Sequence, residues 1–392
     1  MYSFYVLLLL LVIAVFFGII EYTRHQKRIY SIPVRIHING TRGKSSVTRL
    51  IGAGLREAGM STITKVTGTF PRLILEDGTE TAVYRKSDAN ILEQLSIVRF
   101  AAERKVDALI MECMALQPNY QWITENQMIH ANIGVMTNVR LDHVDVMGHS
   151  LSEIADTMGK TIPTHEHLFT SEDIIPEKLK EIADKKNTIS VFAKPDMVSS
   201  EEMKGFSYIE HKENVALALA ICKHLNINRS TALKGMYKAI PDAGALKCFK
   251  VDEYHKQMFF YNAFAANDPD STMMIWQKIQ NEIGIEGQRI ILLNTRHDRL
   301  DRAKQLAEMV AVKMKKDIDF LMLMGQSTEV VESMTIAYGL PQNKIINLGW
   351  SEPPKIFENI LALTEKKSTI VAIGNMGGMG SQTAEYFEHR NS

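Results

Sequence analysis

The sequence predicts an α/β protein: a P-loop-type, mostly parallel sheet covered by helices, then a smaller Rossmann-like α/β domain, with a transmembrane helix at the N-terminus. Three observations carry this expectation. Residues Ile36-His37-Ile38-Asn39-Gly40-Thr41-Arg42-Gly43-Lys44-Ser45-Ser46 read as a strand, a glycine turn and a helix opening on Lys-Ser. Strand-like apolar runs alternate with helical patterns along the rest of the chain, the signature of parallel strands joined by crossover helices. The first twenty residues are almost wholly apolar.

Taken in order, Tyr2 to Ile20 carries no charge, and nineteen residues at ~1.5 Å per residue reach about 28 Å, close to the ~30 Å hydrocarbon core of a bilayer. It lacks the basic start, short apolar core and small-residue cleavage site of a signal peptide. Tyr2 and Tyr22 stand where interfacial aromatics belong, and Arg24, Lys27 and Arg28 follow at once. By the positive-inside rule the N-terminus is expected outside and the remainder in the cytoplasm, a single-pass cell-membrane protein.

The next element is the glycine turn. Gly40 and Gly43 free backbone N–H groups to converge on phosphate oxygens at a helix N-terminus, Lys44 adds a point charge and Ser45 a hydroxyl for Mg²⁺. Strict Walker spacing would place glycine at Ile38, so only Gly-Thr-Arg-Gly-Lys-Ser survives of that pattern. Val47, Leu50, Ile51, Gly54, Leu55 and Ala58 make one apolar stripe at helical spacing, ended by Gly59. Thr67-Gly68-Thr69 follows the next strand and could line the pocket or form an ordinary turn.

Further strands are expected at Val34–Asn39, Ile63–Val66, Ala108–Glu112, Ile133–Asn138 and Thr188–Phe192, with helices at Ile91–Arg104, Leu151–Lys160, Asn214–His224 and Ser230–Ala239. A second alternating series begins after Pro241-Asp242-Ala243-Gly244, with strands near Met258–Tyr261, Ile290–Asn294, Phe320–Met324, Lys344–Asn347 and Ile370–Ile373. Glu112 ends a buried-looking strand, where ligands sit in open parallel sheets, and is placed for Mg²⁺. The run Asn138-Val139-Arg140-Leu141-Asp142-His143-Val144-Asp145 sets two carboxylates and an imidazole after the following strand, suited to a second metal or to orienting phosphate. Alone such a loop is a weak signal; downstream of a phosphate loop and a strand-end glutamate it gains weight.

Gly-Thr-x-Gly-Lys-Ser, a strand-end Glu and Asn-x-x-x-Asp-His-x-Asp-x-x-Gly, in that order, resemble the ATP domain of the Mur ligase superfamily, which includes folylpolyglutamate synthetase. Asn214-Val215-Ala216-Leu217-Ala218 is similar to that family's asparagine-led helix beside adenine, and Ala266-Asn267-Asp268-Pro269 to its Asn-Pro segment. The membrane segment, Glu112-Cys113-Met114-Ala115, Leu141 to Gly148, Phe264 to Asp268 and Gly374-Asn375 further resemble the membrane-associated poly-γ-glutamate synthases of the CapB/PgsB type. The resemblance implies three parts: an anchor (residues 1–22), a central ATP-binding domain (23–243) and a C-terminal domain (244–392). It also implies an ATP- and Mg²⁺-dependent ligase that joins glutamate into γ-linked capsule polymer through an acyl phosphate, releasing ADP and phosphate.

On that reading Gly40, Thr41, Arg42, Gly43, Lys44, Ser45, Ser46, Asn214, Asn267 and Arg296 bind nucleotide. Ser45, Glu112 and His143 hold metal, and Lys44, Glu112 and His143 act in catalysis. Thr67, Thr69, Asn138, Asp142, Asp145 and Arg299 orient substrate or the loops. The family's carbamylated lysine falls near Met158, with Lys160 the nearest lysine and not assigned that role. Ala245 stands where the family carries an interdomain arginine, and Phe264 where it carries an aspartate.

Only about thirty residues precede the phosphate loop, most of them in the expected bilayer segment, which disfavours a UDP-sugar substrate and suits glutamate and a growing polyglutamate chain. Lysine plus arginine equals aspartate plus glutamate, 45 each, so global charge gives no reason to expect nucleic acid. Small membrane subunits of an export complex are the expected partners, and self-association stays open. Cys113, Cys222 and Cys248 lack metal or redox spacing and read as core thiols. The charge alternation from Arg296 to Arg302 is either a solvated helix start or a phosphate clamp. Gly374-Asn375-Met376-Gly377-Gly378 makes a poor dinucleotide fingerprint and reads better as a turn into a helix. Two other functions fit the sequence: a glutamate ligase with a different acceptor, and a membrane-tethered regulatory ATPase or tyrosine autokinase, for which the tail offers only Tyr386.

Overall fold

Strand β1 (Val34–Asn39) is buried on both sides, so its residues are apolar on one face and tightly partnered on the other. The computed structural model describes residues 2–67, 71–83, 90–206, 208, 210–241, 246–265 and 268–392, and the chain falls into two units, Met1–Asp242 and Ala243–Ser392. In unit 1, β1 is joined by β2 (Thr62–Val66), β3 (Arg72–Ile74), β4 (Glu80–Ala82), β5 (Ala108–Glu112), β6 (Ile133–Met136), β7 (His167–Thr170) and β8 (Ile189–Phe192). Their order across the sheet is β4-β3-β2-β5-β1-β6-β7-β8. All pairings are parallel except those of β2 with β3 and β3 with β4. Ile36 sits between Ile110 and Ile133, and Ile38 is in register with Glu112, so the carboxyl ends of β1 and β5 finish level.

One face of this sheet is covered by helix α2 (Lys44–Glu57) and by Lys212–His224, whose Val47, Leu50, Ile51, Leu55, Val215 and Leu219 pack on Ile36, Ile38 and Ile110. The other face is covered by helix Glu93–Glu103, the helix Pro118–Ile123 with its continuation Thr124–Ile129, and the end of the first helix of the chain. That first helix, α1, runs unbroken from Tyr2 to Tyr30. Large side chains from Phe4 to Ile19 are exposed, whereas His25 and Ile29 are buried. Ile29 and Ile32 join Ile97, Val98, Ala101, Leu109 and Met128 in one apolar cluster, and His25 Nε2 donates to the Met128 carbonyl at 3.0 Å. The helix thus continues past residue 22 into the body of the unit.

On the face of β1 away from α2, His37 and Glu125 form a buried pair, Nδ1 to carboxylate 2.7 Å. Burial alone would lower the imidazole pKa; the Cys113 thiol and the Glu125 carboxylate beside it outweigh that and lift it to about 9.

Unit 2 is a six-stranded sheet in the order β13-β12-β11-β14-β10-β9, comprising β9 (Lys247–Glu253), β10 (Lys256–Asn262), β11 (Gln288–Thr295), β12 (Phe320–Gly325), β13 (Ile345–Gly349) and β14 (Lys367–Gly374). Among the described residues, only β9 is antiparallel. Its core stacks Phe260 on Phe387, ring centroids 4.0 Å apart, with Ile290, Leu292, Met322 and Ile370 around them. Of the three cysteines, Cys113 and Cys222 are buried as expected, but Cys248 is exposed. It lies on edge strand β9, where alternate side chains point to solvent.

Several boundaries move from the sequence reading. The strand expected to reach Asn138 stops at Met136, because Thr137 and Asn138 turn their hydrogen bonds toward the glycine loop. The hairpin β3–β4 and strand β7 were not anticipated; they are three or four residues long, too short for a period to show.

Candidate active site

The chain leaves β1 at Asn39 and reverses through Gly40, at φ +136°, and Gly43, at φ +79°, before α2 begins at Lys44. Both glycines are required by contact as well as by φ. A Cβ on Gly40 would lie 2.0 Å from Thr137 Oγ1, and one on Gly43 would lie 2.6 Å from Asn214 Oδ1. The turn is held from outside. Asn138 accepts from the Arg42 N–H (3.0 Å) and donates to the Arg42 carbonyl (3.2 Å), while Thr137 Oγ1 donates to the same carbonyl (2.6 Å). The Thr41 N–H donates to the Asn138 carbonyl, and Thr41 Oγ1 accepts from the Arg140 N–H, both at 2.9 Å. Asn39 accepts from the Gly40 N–H (2.8 Å) and is itself fixed by Gln121 and Thr161.

Two of the expected site residues meet at this turn. Ser45 Oγ donates to Glu112 Oε2 at 2.9 Å, and the Thr67 N–H donates to the same oxygen at 2.7 Å. Glu112 is only 2% exposed, so a buried carboxylate is aimed at the start of α2. The Lys44 ammonium lies over the turn, donating to the carbonyls of Gly40 (2.6 Å) and Thr41 (3.3 Å). These groups open on a cavity of about 270 Å³ lined by Gly40, Thr41, Lys44, Thr67, Glu112 and His143, with Asn39, Cys113 to Leu116, Asp142, Met147 and Met158 completing its wall.

His143, at φ +47°, precedes the short helix Val144–Met147, and its N–H is held by Asp142 Oδ1 at 3.0 Å. Asp142 also pairs with Arg42 at 3.5 Å, tying the two loops together. Asp145 is exposed in the first turn of that helix and is not part of the cavity wall. Asn214 is buried at the start of its helix, donates to Glu210 (2.8 Å), and packs directly against Gly43. Ser46 follows Ser45 in the first turn of α2. Met158 lines the cavity, and Lys160 is exposed.

In unit 2, Arg296 and Arg299 follow β11. Arg296 makes a two-point pair with Asp298 at 2.9 and 2.8 Å, and Arg299 approaches Asp298 at 3.9 Å. Thr69, Asn267, Gly68, Ala266 and Ala245 lie outside the described residues.

The donor set suits a hard divalent cation. The Glu112 carboxylate and the Ser45 hydroxyl are oxygen donors of the kind Mg²⁺ takes when phosphate oxygens and water supply its other ligands, and His143 stands in the same cavity wall as Glu112. Among the described residues no group of three or more His, Cys, Asp or Glu could hold a metal without such help.

Sequence reasoning missed Asn39 and Thr137 as braces of the turn, and Glu172. The buried Glu172 accepts from the Val139 N–H, from Arg140 and from the N–H groups of Ile174 and Ile175, so it anchors the His143 loop from behind. Its only sequence signal is a position just after a strand, and β7 was not anticipated.

A glycine turn after β1, a buried glutamate level with it on β5 and a histidine loop after β6 are the arrangement that comparison with known proteins places in a class. The sequence profile of the Mur ligase middle domain matches residues 38–240, and that of the poly-γ-glutamate synthase CapB C-terminal domain matches residues 248–390. Solved folylpolyglutamate synthases share the fold at 12–13% identity. Escherichia coli FolC in complex with DHPP and ADP has a TM-score of 0.68 over 95% of this chain and 92% of its own. The bifunctional Yersinia pestis enzyme complexed with AMPPNP and Mn has 0.70 over 93% and 92%. Capsule biosynthesis protein CapB of Bacillus anthracis is 41% identical over 343 residues, 87% of this chain and 74% of the relative. PGA synthase CapB of Bacillus subtilis is 38% identical over 371 residues, 94% and 93%. The chain belongs to the CapB family of poly-γ-glutamate synthases, and it is an ATP-dependent ligase.

Proposed function

We propose that this protein polymerises glutamate into γ-linked capsule polymer, using ATP to activate a carboxylate. Family membership supplies the substrate class, and the contact between Ser45 and the buried Glu112 beside Lys44 is the observation that carries the chemistry. An amine in water cannot displace oxide or hydroxide from a carboxylate carbon, so the carboxylate first needs a better leaving group. A glutamyl carboxylate oxygen attacks the γ-phosphorus of ATP, the bond to the bridging oxygen breaks, and ADP leaves. The amine of another glutamyl unit, having lost a proton to solvent, then attacks the acyl carbon; the C–O bond to phosphate breaks, phosphate departs, and the nitrogen gives its second proton to phosphate or solvent, leaving the neutral amide.

Lys44, by exchanging its carbonyl partners for phosphate, and the N–H groups at the start of α2 neutralise and hold the β- and γ-phosphates, while the N–H groups of Gly40, Thr41 and Arg42 stay bonded to Asn39 and Asn138 and keep the turn in shape. Ser45 and Glu112 would hold Mg²⁺ and His143 a second ion, which when bound offset phosphate charge. Asp142 and Asn138 position the two loops, through Arg42. Thr67 offers its N–H to Glu112 and fixes the carboxylate's direction. Asn214 supports the turn below Gly43, and Arg296 or Arg299 is a reserve of positive charge for phosphate or an anionic glutamyl chain.

The N-terminal helix, long and apolar enough to cross a membrane, anchors the chain with its N-terminus outside and its enzyme in the cytoplasm, beside small export subunits. The test is ATP-dependent incorporation of labelled glutamate by membranes carrying the protein and its partners. γ-Linked polymer coupled to ADP release, and lost in Lys44→Ala, is expected. ATP hydrolysis with no incorporation, partners present, would point to another acceptor.

A further inference from the structure

The direction of α1 determines which end of unit 1 would meet the bilayer. Tyr30 ends the helix four positions before β1 starts at Val34, so the C-terminal end of α1 lies at the amino ends of the strands. The helical segment from Pro118 to Ile129 begins after the carboxyl end of β5 and finishes before the amino end of β6, so it runs opposite to the strands. His25 bonds the Met128 carbonyl, and the Tyr30 ring lies 6.0 Å from that of His130, so α1 descends in the same direction as that segment. Followed backwards, toward its apolar part, α1 climbs to the carboxyl ends of the strands, the end that carries the phosphate loop.

Distances along the two elements agree. From Glu21, just past the apolar run, to Tyr30 is nine helical steps, roughly 14 Å. From Val34 to Asn39 is five strand steps, roughly 17 Å. The mouth of the site therefore comes level with the end of the membrane-spanning stretch to within a few ångströms. At that same end, on the α1 face, stand four exposed apolar and aromatic side chains. Leu92 precedes helix Glu93–Glu103 and is 56% exposed; Leu116, Tyr120 and Trp122, from the segment after β5, are 39%, 47% and 46% exposed. Tyrosine and tryptophan are the residues that settle at the headgroup level of a bilayer.

We propose that the strand-carboxyl end of unit 1 faces the lipid bilayer, with Leu92, Leu116, Tyr120 and Trp122 seated in its interfacial layer. This rests on the reading of α1 as a membrane anchor. The site then opens toward the membrane surface, and a growing chain leaves it there without first crossing the cytoplasm.

The chain has three tryptophans: Trp276 is buried, Trp350 is exposed in unit 2, and Trp122 is the probe. The full chain carrying Trp350→Phe, reconstituted in vesicles whose acyl chains are brominated near the headgroup, should lose the Trp122 fluorescence component, defined by difference against Trp122→Phe. In the Trp122→Phe, Trp350→Phe background, the indole introduced by Ile189→Trp should keep its fluorescence. Ile189 is 61% exposed at the amino end of β8, the far end of the strands. If the protein stays with the vesicles in alkaline carbonate but Trp122 is unquenched, or both indoles are quenched, the orientation is overturned and the anchor stands. If carbonate strips the protein from the vesicles, the anchor itself fails and the orientation falls with it.

Discussion

The glycine loop Gly40–Ser46 and the charged run Arg296–Arg302 both follow a central strand, yet they are built in opposite ways. Around the loop, the backbone N–H groups of Gly40, Thr41 and Arg42 are spoken for by Asn39 and Asn138, and the side chains of Lys44 and Ser45 have protein partners. In the run, Arg296, Asp298 and Arg299 pair chiefly with each other, each more than 40% exposed. The first is rigid before substrate arrives, the arrangement that electrostatic catalysis needs. The second is exposed charge at the surface, worth little to stability.

The contrast predicts a descending series of effects. Lys44→Ala should lower the rate of glutamate incorporation by about 10²–10³, the usual loss when a preorganised charge is removed; an unchanged turnover number would break the comparison at its strongest point. The buried His37–Glu125 pair should make stability fall as pH rises. His37 is lifted to about 9 in the folded protein, above its unfolded value, so its contribution is complete below about 6.5 and is lost as pH climbs through about 9. The loss should be on the order of 2 kcal/mol, read from denaturant unfolding at pH 6.5 and 9, and His37→Gln should flatten that slope. Asn138→Ala removes both bonds to Arg42 and should cost about 1–2 kcal/mol, seen as a roughly tenfold weaker ATP affinity with the fold intact. Arg296→Ala should change stability by less than about 0.5 kcal/mol. A drop in incorporation rate at that unchanged stability would give Arg296 its phosphate role, and an unchanged rate would leave it a solvated ion pair.

The same contrast explains what could be read from the sequence. The loop was legible because its chemistry requires particular residues at fixed spacing: glycines with positive φ, Lys44, Ser45 and, level with them, the strand-end Glu112. The parallel sheets were legible from buried apolar runs such as Leu109-Ile110-Met111. The braces were not. Thr137 and Asn39 act through side chains that any strand end could carry, and Glu172 follows β7, four residues with no visible period. Asn214 was expected beside adenine on family likeness, and what the structure shows of it is its packing on Gly43, a contact made across many intervening residues.

The unbroken course of α1 has a mechanical consequence. No hinge separates its apolar stretch from His25 and Ile29, which are locked into the core, so in the role of membrane anchor proposed above α1 would be a stiff mast whose rotational phase is inherited by the enzyme. One residue inserted between Tyr22 and Thr23 would turn everything beyond it by about 100°, whereas seven would bring it back to within about 20°. On that proposal, angular registry between lipid and enzyme is written into the length of a single helix.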